Sequence, residues 1–325
     1  MIKTILIAAG AGLVSTLLAA TIVSGSALAL LLVLLVPLPL MIVALGWHPL
    51  VGLLGGILSC LVLSVVFHDG VAVMFAVTTV VPAWLLPQLF LFPRTAGNAG
   101  HPPRWLDPGV VLLAASLYAV VVILIGALSI DTDYAEFRRA AATMAEQWLR
   151  LFLNLPAGAP LRTPDGRDAS TLVPQLATAM SILPVTGFMT SYALSGWLAA
   201  LVVHKSGLLP RPRPVLPDIS FPRGTAILFG LAFLATLLPG YPGYAARLTV
   251  SSLMFAFTLL GFAVLHALTR GLGGRGLILT ITWLTTLIIG FPGVLVAGLG
   301  FAEQLLGLRA RQARRRGPPS STNPT

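Results

Sequence analysis

A serine and a histidine in separate apolar segments come nearest to a catalytic pair in this chain. Ser195 lies in "YALSGW" and His266 lies in "GFAVLHALTRG". A histidine that accepts the proton of a serine hydroxyl activates that oxygen as a nucleophile. Ser195 and Gly196 also fit another interpretation, in which small residues allow two membrane helices to pack closely. The residue types alone are compatible with either interpretation.

The sequence around Ser195 argues against catalysis. The pair loosely resembles the dyad of rhomboid intramembrane proteases, but that pattern has a glycine two residues before the serine, where this chain has Ala193. A zincin His-Glu motif, a P-loop, a dinucleotide-binding glycine fingerprint and paired carboxylates within apolar segments are all absent from the sequence. With Cys60 as its one cysteine, the chain can form neither an intrachain disulfide nor a cysteine metal cage. We therefore predict no enzymatic activity, no catalytic residues, no cofactor and no metal site.

His266 has two further interpretations. It lies one helical turn before Arg270, and Gly271 follows as a residue type that commonly ends helices. Cationic side chains are favourable at a helix C-terminus, so the pair predicts a helix end near the cytoplasmic surface. Ionisable residues at membrane depth are often functional, so a proton relay or a substrate contact is the alternative.

The elements that position these residues are predicted to be membrane helices. The chain of 325 residues is 57% hydrophobic and only 9% charged, and its mean hydropathy is +0.93. Soluble domains carry about 25% charged residues, so water is not the main solvent of this protein. Nine stretches approach the roughly 20 apolar residues that span a bilayer. They are 4–22, 27–46, 49–67, 70–92, 109–130, 175–203, 224–240, 246–269 and 277–300. We predict an all-α, polytopic transmembrane helical bundle.

Charged residues predict the orientation of these helices. Cytoplasmic loops are enriched in lysine and arginine, and these residues fall near Lys3 and in alternate loops, which contain Arg94, Lys205 and Arg270. Residues 1–29 imitate a secretory signal, but the apolar run continues beyond them, so we expect them to be retained as the first helix. The location predicted is a bacterial inner (cytoplasmic) membrane, crossed many times.

The C-terminal apolar stretch is predicted to be broken. Nine crossings would leave the basic tail outside, contrary to the charge rule. Pro292, flanked by Gly290 and Gly293, favours two half-length helices that form a re-entrant hairpin at 277–308. We therefore expect about eight spanning helices and two cytoplasmic termini. A single integral membrane domain would cover 1–308, followed by a disordered basic tail at 309–325.

The loop at 131–170 is predicted to lie outside the membrane and to contain an amphipathic helix at 133–155. Asp133 and Glu136 have the spacing of a capping box. The apolar stripe consists of Tyr134, Phe137, Ala141, Met144, Trp148, Leu151 and Leu155. One interpretation places this helix in the membrane interface with Trp148 as an anchor. The other makes it a lid over a pocket that opens outward.

Hydroxyl and aromatic residues are concentrated in "PVTGFMTSYALSGW" at 184–197. They predict either a small-molecule pocket or a hydrogen-bonded bundle interior. The candidate pocket residues are Trp84, Gln88, Thr186, Thr190, Ser191, Tyr192, Trp197 and Trp283. Pairs of small residues four apart predict close helix packing, and these are Gly52 with Gly56 and Ala8 with Gly12.

Five stretches resemble the YybS-like family of bacterial membrane proteins, which is catalogued as a domain of unknown function. They are "AAGAGLVSTLLAA", "PLPLMIVALGWHPLVGLLGGI", "LLPRPRPVLPDISFPRG", "GFAVLHALTRG" and "GLGFAEQLLGLRAR". Glu303 stands where the family has an aspartate. The first half also resembles the S components of energy-coupling-factor transporters, which implies capture of a vitamin-like solute and energising ATPase subunits as partners.

Two functions follow as expectations. The first is an S-component-like subunit that binds or transports a small solute whose identity the sequence does not name. The alternative is a membrane scaffold or assembly factor that recruits a cytoplasmic or membrane protein through its arginine-rich loop and tail. The tail arginines of that alternative are Arg311, Arg314, Arg315 and Arg316. The basic residues lack interleaved aromatics, so we expect the lipid bilayer, and no nucleic acid, as a partner.

Overall fold

Helices account for 79% of the computed structural model, which describes residues 2–95, 104–156, 158–162, 168–213 and 215–315. In chain order the α-helices are α1 (Ile2–Ala20), α2 (Ala27–Val33), α3 (Leu38–Gly46), α4 (Pro49–Val66), α5 (Asp69–Phe75), α6 (Val81–Phe90), α7 (Pro108–Ile130), α8 (Tyr134–Phe152), α9 (Val173–Lys205), α10 (Thr225–Ala235), α11 (Gly240–Leu268), α12 (Arg275–Ile289), α13 (Pro292–Leu306) and α14 (Leu308–Arg315). Strands β1 (Pro93–Thr95) and β2 (Arg104–Trp105) form a short antiparallel pair. The predicted all-α bundle is confirmed.

Seven helical segments of the described chain are long and apolar enough to cross a membrane. They are Ile2–Ser24, Leu28–Gly46, Pro49–Val66, Asp69–Phe90, Pro108–Ile130, Ser170–Lys205 and Gly240–Leu268. The chain is therefore a polytopic membrane protein. The stretch at 224–240, counted among the eight predicted crossings, contains only the shorter helix α10.

The helix α10 is short because the chain turns before it reaches spanning length. Its 11 residues cover roughly 16 Å at 1.5 Å per residue, about half of a hydrocarbon core of roughly 30 Å. Pro239 lacks a backbone donor, and Gly240 adopts a positive φ of 72°. The new helix α11 begins at Gly240, six residues before the predicted start of that crossing.

The break predicted in the C-terminal stretch is present. Helices α12 and α13 have 15 residues each, and the chain changes direction at Gly290, whose φ is +77°. Pro292 occupies the first position of α13, where its missing N–H costs no helical hydrogen bond. Each helix is roughly 22 Å long and too short to span alone. The re-entrant path through the bilayer stays a prediction.

The start of the tail is ordered, contrary to the prediction of disorder from 309 onward. The guanidinium of Arg309 donates to Glu303 Oε1 over 2.8 Å and to the carbonyl oxygens of Pro217 and Ile219 over 2.6 and 3.0 Å. The backbone N–H of Arg309 also donates to Glu303 Oε2 over 3.0 Å. These bonds hold the start of α14 against α13 and against the segment that contains Pro217 and Ile219. Residues 316–325, including Arg316, lie outside the described residues.

Close packing of α1 on α4 involves the small residues that the sequence singled out. A Cβ atom on Gly12 would collide with the carbonyl oxygen of Gly55, and one on Gly55 with that of Ala8. Gly52 lies against α3, and Gly56 lies against Val80. Gly12 and Gly52 allow backbones to approach closely, as expected for small residues in membrane helices, whereas Gly56 makes room for the Val80 side chain.

The amphipathic helix α8 is rotated relative to its predicted apolar stripe. Its buried residues are Phe137, Ala145 and Leu149, whereas Trp148 and Leu151 are 49% and 77% exposed. The helix is fixed at its start by a ring cluster of Tyr134, Phe137, Tyr241 and Tyr244, whose neighbouring centroids lie 5.2 to 6.4 Å apart. A period of 3.6 residues then carries the buried face from Phe137 through Ala145 and Leu149.

The cap of α8 differs in part from the predicted capping box. Asp133 accepts a hydrogen bond from the backbone of Ala135 over 2.8 Å, as an N-cap residue does. Glu136 does not return to the Asp133 backbone, because that N–H donates to Asp131. Glu136 instead pairs with Arg139 over 2.8 Å on the exposed face.

One end of the bundle, which we call the basic end, contains Arg211 and Arg309. At this end Ser220 Oγ also donates to Asp107 over 2.5 Å, and Gln304 donates to the carbonyl oxygen of Pro222 over 2.8 Å. The opposite end carries α8, where Arg247 donates to the Tyr134 hydroxyl over 2.7 Å. These contacts fix which helix termini lie beside each other.

Candidate functional site

A cavity of about 1140 Å³ lies within the bundle. Residues of α3, α6, α7, α9, α11, α12 and α13 surround it, and the loop residues Arg213, Val215 and Ile219 line it at the basic end, which we call its rim. Most of the lining is aliphatic or aromatic. Helix α8 contributes no residue to the described lining of this cavity, so the interpretation of α8 as a lid stays a prediction about another pocket.

Several candidate pocket residues line this cavity. They are Thr186, Thr190, Tyr192, Trp197 and Trp283, and His266 lies among them. Three other candidates, Trp84, Gln88 and Ser191, are not part of the lining, and neither is Arg270. The structure therefore gathers the α9 and α12 candidates and leaves out those of α6.

Helix α6 turns a different face toward the cavity from the one that the sequence suggested. Leu86 and Phe90, four residues apart, line it. Trp84 and Gln88 are offset from them by two residues and so lie on another face of the helix. Gln88 is exposed, and the buried Trp84 Nε1 has no hydrogen-bond partner within the described residues.

Two threonine hydroxyls on α9 have partners in the cavity wall. Thr186 Oγ1 and Ser251 Oγ lie 3.2 Å apart and join α9 to α11. Thr190 Oγ1 donates to the carbonyl oxygen of Thr186 over 2.8 Å. The Thr190 donor is satisfied, whereas one hydroxyl proton of the Thr186–Ser251 pair is left for a ligand among the described residues.

Tyr192 uses its hydroxyl to stabilise an irregular turn. Residues Ala76–Val80 form a π-helical turn between α5 and α6, where one extra residue disturbs the regular hydrogen-bond ladder. Tyr192 donates to the carbonyl oxygen of Thr78 over 2.9 Å, and Tyr118 donates to that of Val77 over 2.5 Å. Sequence reasoning missed Tyr118, because nothing in the sequence marks the π-helical turn.

The two serines on α9 bind a backbone carbonyl. Ser191 Oγ and Ser195 Oγ donate to the carbonyl oxygen of Leu34 over 2.9 and 3.0 Å. Pro37 interrupts the helix here, and Leu38 donates to Leu35 instead of Leu34. The serines therefore replace a donor that the break between α2 and α3 removed.

His266 bonds to its own helix. Its Nδ1 lies 2.9 Å from the carbonyl oxygen of Phe262, which fits a ring that donates from Nδ1 and leaves Nε2 as an acceptor. No hydrogen bond joins Ser195 to His266 in the described chain, and Ser195 is fully buried against Leu34. The two residues do not form the nucleophile and base considered above.

The wall formed by α12 is attached mainly through one aromatic pair. The Trp283 ring stacks on Phe262 with centroids 3.7 Å apart and an interplanar angle of 4°. None of the α12 residues is buried. This helix therefore has few interactions that fix its position beside the cavity.

We expect Trp283→Ala to release α12 from the bundle. Stacked aromatic pairs contribute about 0.5–1.5 kcal/mol beyond the area that they bury. Hydrogen–deuterium exchange in nanodiscs should therefore rise by roughly tenfold in Arg275–Ile289, since about 1.4 kcal/mol corresponds to a factor of ten. Exchange in α11 and α13 should stay unchanged, and the exposed Trp197 replaced by Ala provides the control. Equal exchange in α12 of both variants would contradict the assigned attachment.

Two arginines at the rim differ in their surroundings. Arg211 donates to the carbonyl oxygens of Phe90 and Leu106 over 2.5 and 3.0 Å, and its guanidinium lies 4.0 Å above the Phe90 ring. Burial lowers the pKa of Arg211, and the charge of Asp107 acts in the opposite direction. Arg213 is exposed and has no hydrogen bond or ion pair within the part of the chain that the structure describes. The sequence placed both in the arginine-rich loop, which predicts the orientation of the helices and, in the scaffold alternative, recruits a partner.

Comparisons of this chain with known protein families, with curated proteins and with solved structures give no match. The resemblances to the YybS-like family and to transporter S components therefore stay predictions.

Proposed function

We propose that this protein binds a small, largely apolar molecule in the cavity, as a non-enzymatic binding or transport subunit of a bacterial inner membrane. The observation that carries this proposal is the cavity of about 1140 Å³. Ligand pockets typically have volumes of about 300–1000 Å³ and mainly apolar walls with a few placed polar groups. The cavity is slightly larger than that range, and its polar groups are concentrated on α9 and α11.

The position of the cavity indicates the side of the membrane from which a ligand would enter it. Its rim residues lie at the basic end, which is cytoplasmic if lysine and arginine distribute as they usually do. This orientation would leave both termini in the cytoplasm and α8 outside. A soluble vitamin captured from outside, as the resemblance to S components implies, would need a second opening near α8. The proposed subunit therefore binds a molecule that arrives from the membrane or from the cytoplasmic side.

A protein partner of the proposed subunit would contact the arginines that the chain itself does not use. Arg211 and Arg309 are engaged by carbonyl oxygens of the chain itself, so they contribute little to recruitment. Arg223, Arg311 and Arg314 remain exposed at the basic end. Energising ATPase subunits would dock there, as would the partner of a scaffold.

Gly196→Trp should fill the cavity and prevent binding. Gly196 lines the cavity, with only Met41 Sδ within 4 Å of an added Cβ atom. The test uses the protein in phosphatidylcholine nanodiscs with a diazirine-bearing fatty alcohol, followed by mass spectrometric mapping of the adducts. We expect wild-type adducts on the α9 and α11 lining and a loss of about tenfold in the variant, equivalent to about 1.4 kcal/mol.

A second glycine on the same helix is the matched control. Gly187 is exposed, does not line the cavity and has no atom within 4 Å of an added Cβ. Gly187→Trp should therefore leave labelling of the lining unchanged. Wild-type adducts confined to the lipid-facing surfaces of the bundle would refute the binding function.

A further inference from the structure

The charge around the cavity is of one sign. Arg213 is the one lysine or arginine among the described lining residues, and these residues include no aspartate or glutamate. His266, which is also near the basic end, is the other ionisable group with an electropositive form. A bound anion would therefore meet no like charge in the described lining, whereas a bound cation would meet Arg213.

Arg213 is available for such an anion. Arg211, two residues earlier, uses its guanidinium on carbonyl oxygens of the chain, but Arg213 uses none of its donors within the described residues. A guanidinium presents a planar set of donors that matches the oxygens of a carboxylate or a phosphate. Its place on the rim, where the loop meets water, keeps such a headgroup partly hydrated.

The interior of the cavity favours the hydrocarbon chain of a ligand over a polar solute. Beyond the rim the lining includes Leu86, Phe90, Met41, Phe255 and Leu259. Thr190 and Thr258 donate their hydroxyls to backbone carbonyl oxygens, which leaves one hydroxyl proton of the Thr186–Ser251 pair and the partnerless Thr286 Oγ1 as hydroxyl donors among the described lining residues. A solute with many polar groups would leave most of them unpaired, at a cost of about 1–3 kcal/mol for each group. An alkyl or polyprenyl chain has no such groups.

We infer that the ligand is an anionic amphiphile, with a single apolar chain in the cavity and a carboxylate or phosphate headgroup at Arg213. This inference rests on the proposed function, since it names the class of molecule that the same cavity binds. It requires two separate recognition steps: the cavity binds the apolar chain of the ligand, and Arg213 binds its anionic headgroup. The two steps can be tested independently.

The test compares two photoreactive probes of equal chain length, a diazirine fatty acid and the corresponding fatty alcohol, in phosphatidylcholine nanodiscs. We expect the acid to label the cavity lining about fivefold more efficiently than the alcohol, as one partly hydrated ion pair allows. Arg213→Gln should remove this difference and leave alcohol labelling unchanged. Arg223→Gln is the matched control, because Arg223 is exposed at the same end but does not line the cavity.

Competition identifies the headgroup. Unlabelled oleate and an alkyl phosphate of the same length are each compared with the neutral alcohol as competitors. Stronger displacement by either anion supports the inference and assigns a carboxylate or a phosphate. Equal labelling by acid and alcohol, insensitive to Arg213→Gln, would overturn it while leaving the binding function intact. Absence of cavity labelling by both probes would overturn the binding function itself.

Discussion

Replacing Gly261 with alanine should destabilise the protein by about 3 kcal/mol, the upper part of the usual range for overpacking. A Cβ atom on Gly261 would collide with the carbonyl oxygen of Val296, and the reciprocal contact places Gly300 against the carbonyl oxygen of Phe257. Backbone atoms cannot change rotamer, so helices α11 and α13 have to separate. We expect a lower midpoint in SDS-driven unfolding of the purified protein.

The matched control for this change is Gly298→Ala on α13. Gly298 is exposed, and no atom lies within 4 Å of an added Cβ. Alanine is favoured over glycine within a helix by about 1 kcal/mol, so this variant should be as stable as the wild type or more stable. Similar unfolding midpoints for Gly261→Ala and Gly298→Ala would show that the close approach of α11 and α13 does not determine stability.

Removing both Ser191 and Ser195 hydroxyls should cost about 1–3 kcal/mol, the penalty for a buried carbonyl without a donor. Both hydroxyls donate to Leu34, whose usual helical donor is lost beside Pro37. Each serine substitutes for the other, so either single change to alanine should cost much less than half of the double change. SDS-driven unfolding of the four proteins in this double-mutant cycle gives the coupling energy.

Serines that bond only within their own helix provide the control. Ser129 donates to the carbonyl oxygen of Ile125, and Ser206 donates to that of Val202, over 2.8 and 3.0 Å. Ser129→Ala with Ser206→Ala should be nearly neutral and additive. Additive losses from Ser191→Ala and Ser195→Ala would contradict their shared role at Leu34.

The candidate site was predictable from the sequence only in part. The concentration of hydroxyl and aromatic residues on α9 pointed to Thr186, Thr190 and Trp197, which do line the cavity. The same composition also suggested Ser191, which instead bonds to Leu34. Residue type fixes what a side chain can bond to, but the helix that packs opposite decides which bond forms.

The apolar composition by itself determined the class of the protein, and the positions of proline and glycine determined where several helices are interrupted. Long apolar runs require helices, because backbone polar groups have no other partner in a bilayer. Pro292 next to Gly290 removes a donor and permits a positive φ, so the split between α12 and α13 followed from covalent structure alone.

Only the tertiary structure decided which helix faces meet. The ring cluster of Tyr134 and Phe137 with Tyr241 set the rotation of α8 and exposed Trp148. Packing also placed Arg213 on the cavity rim, while Arg211 two residues earlier is tied to the backbone. Such contacts join residues more than a hundred positions apart, and an apolar sequence carries little information about them because lipid and protein interior accept the same side chains.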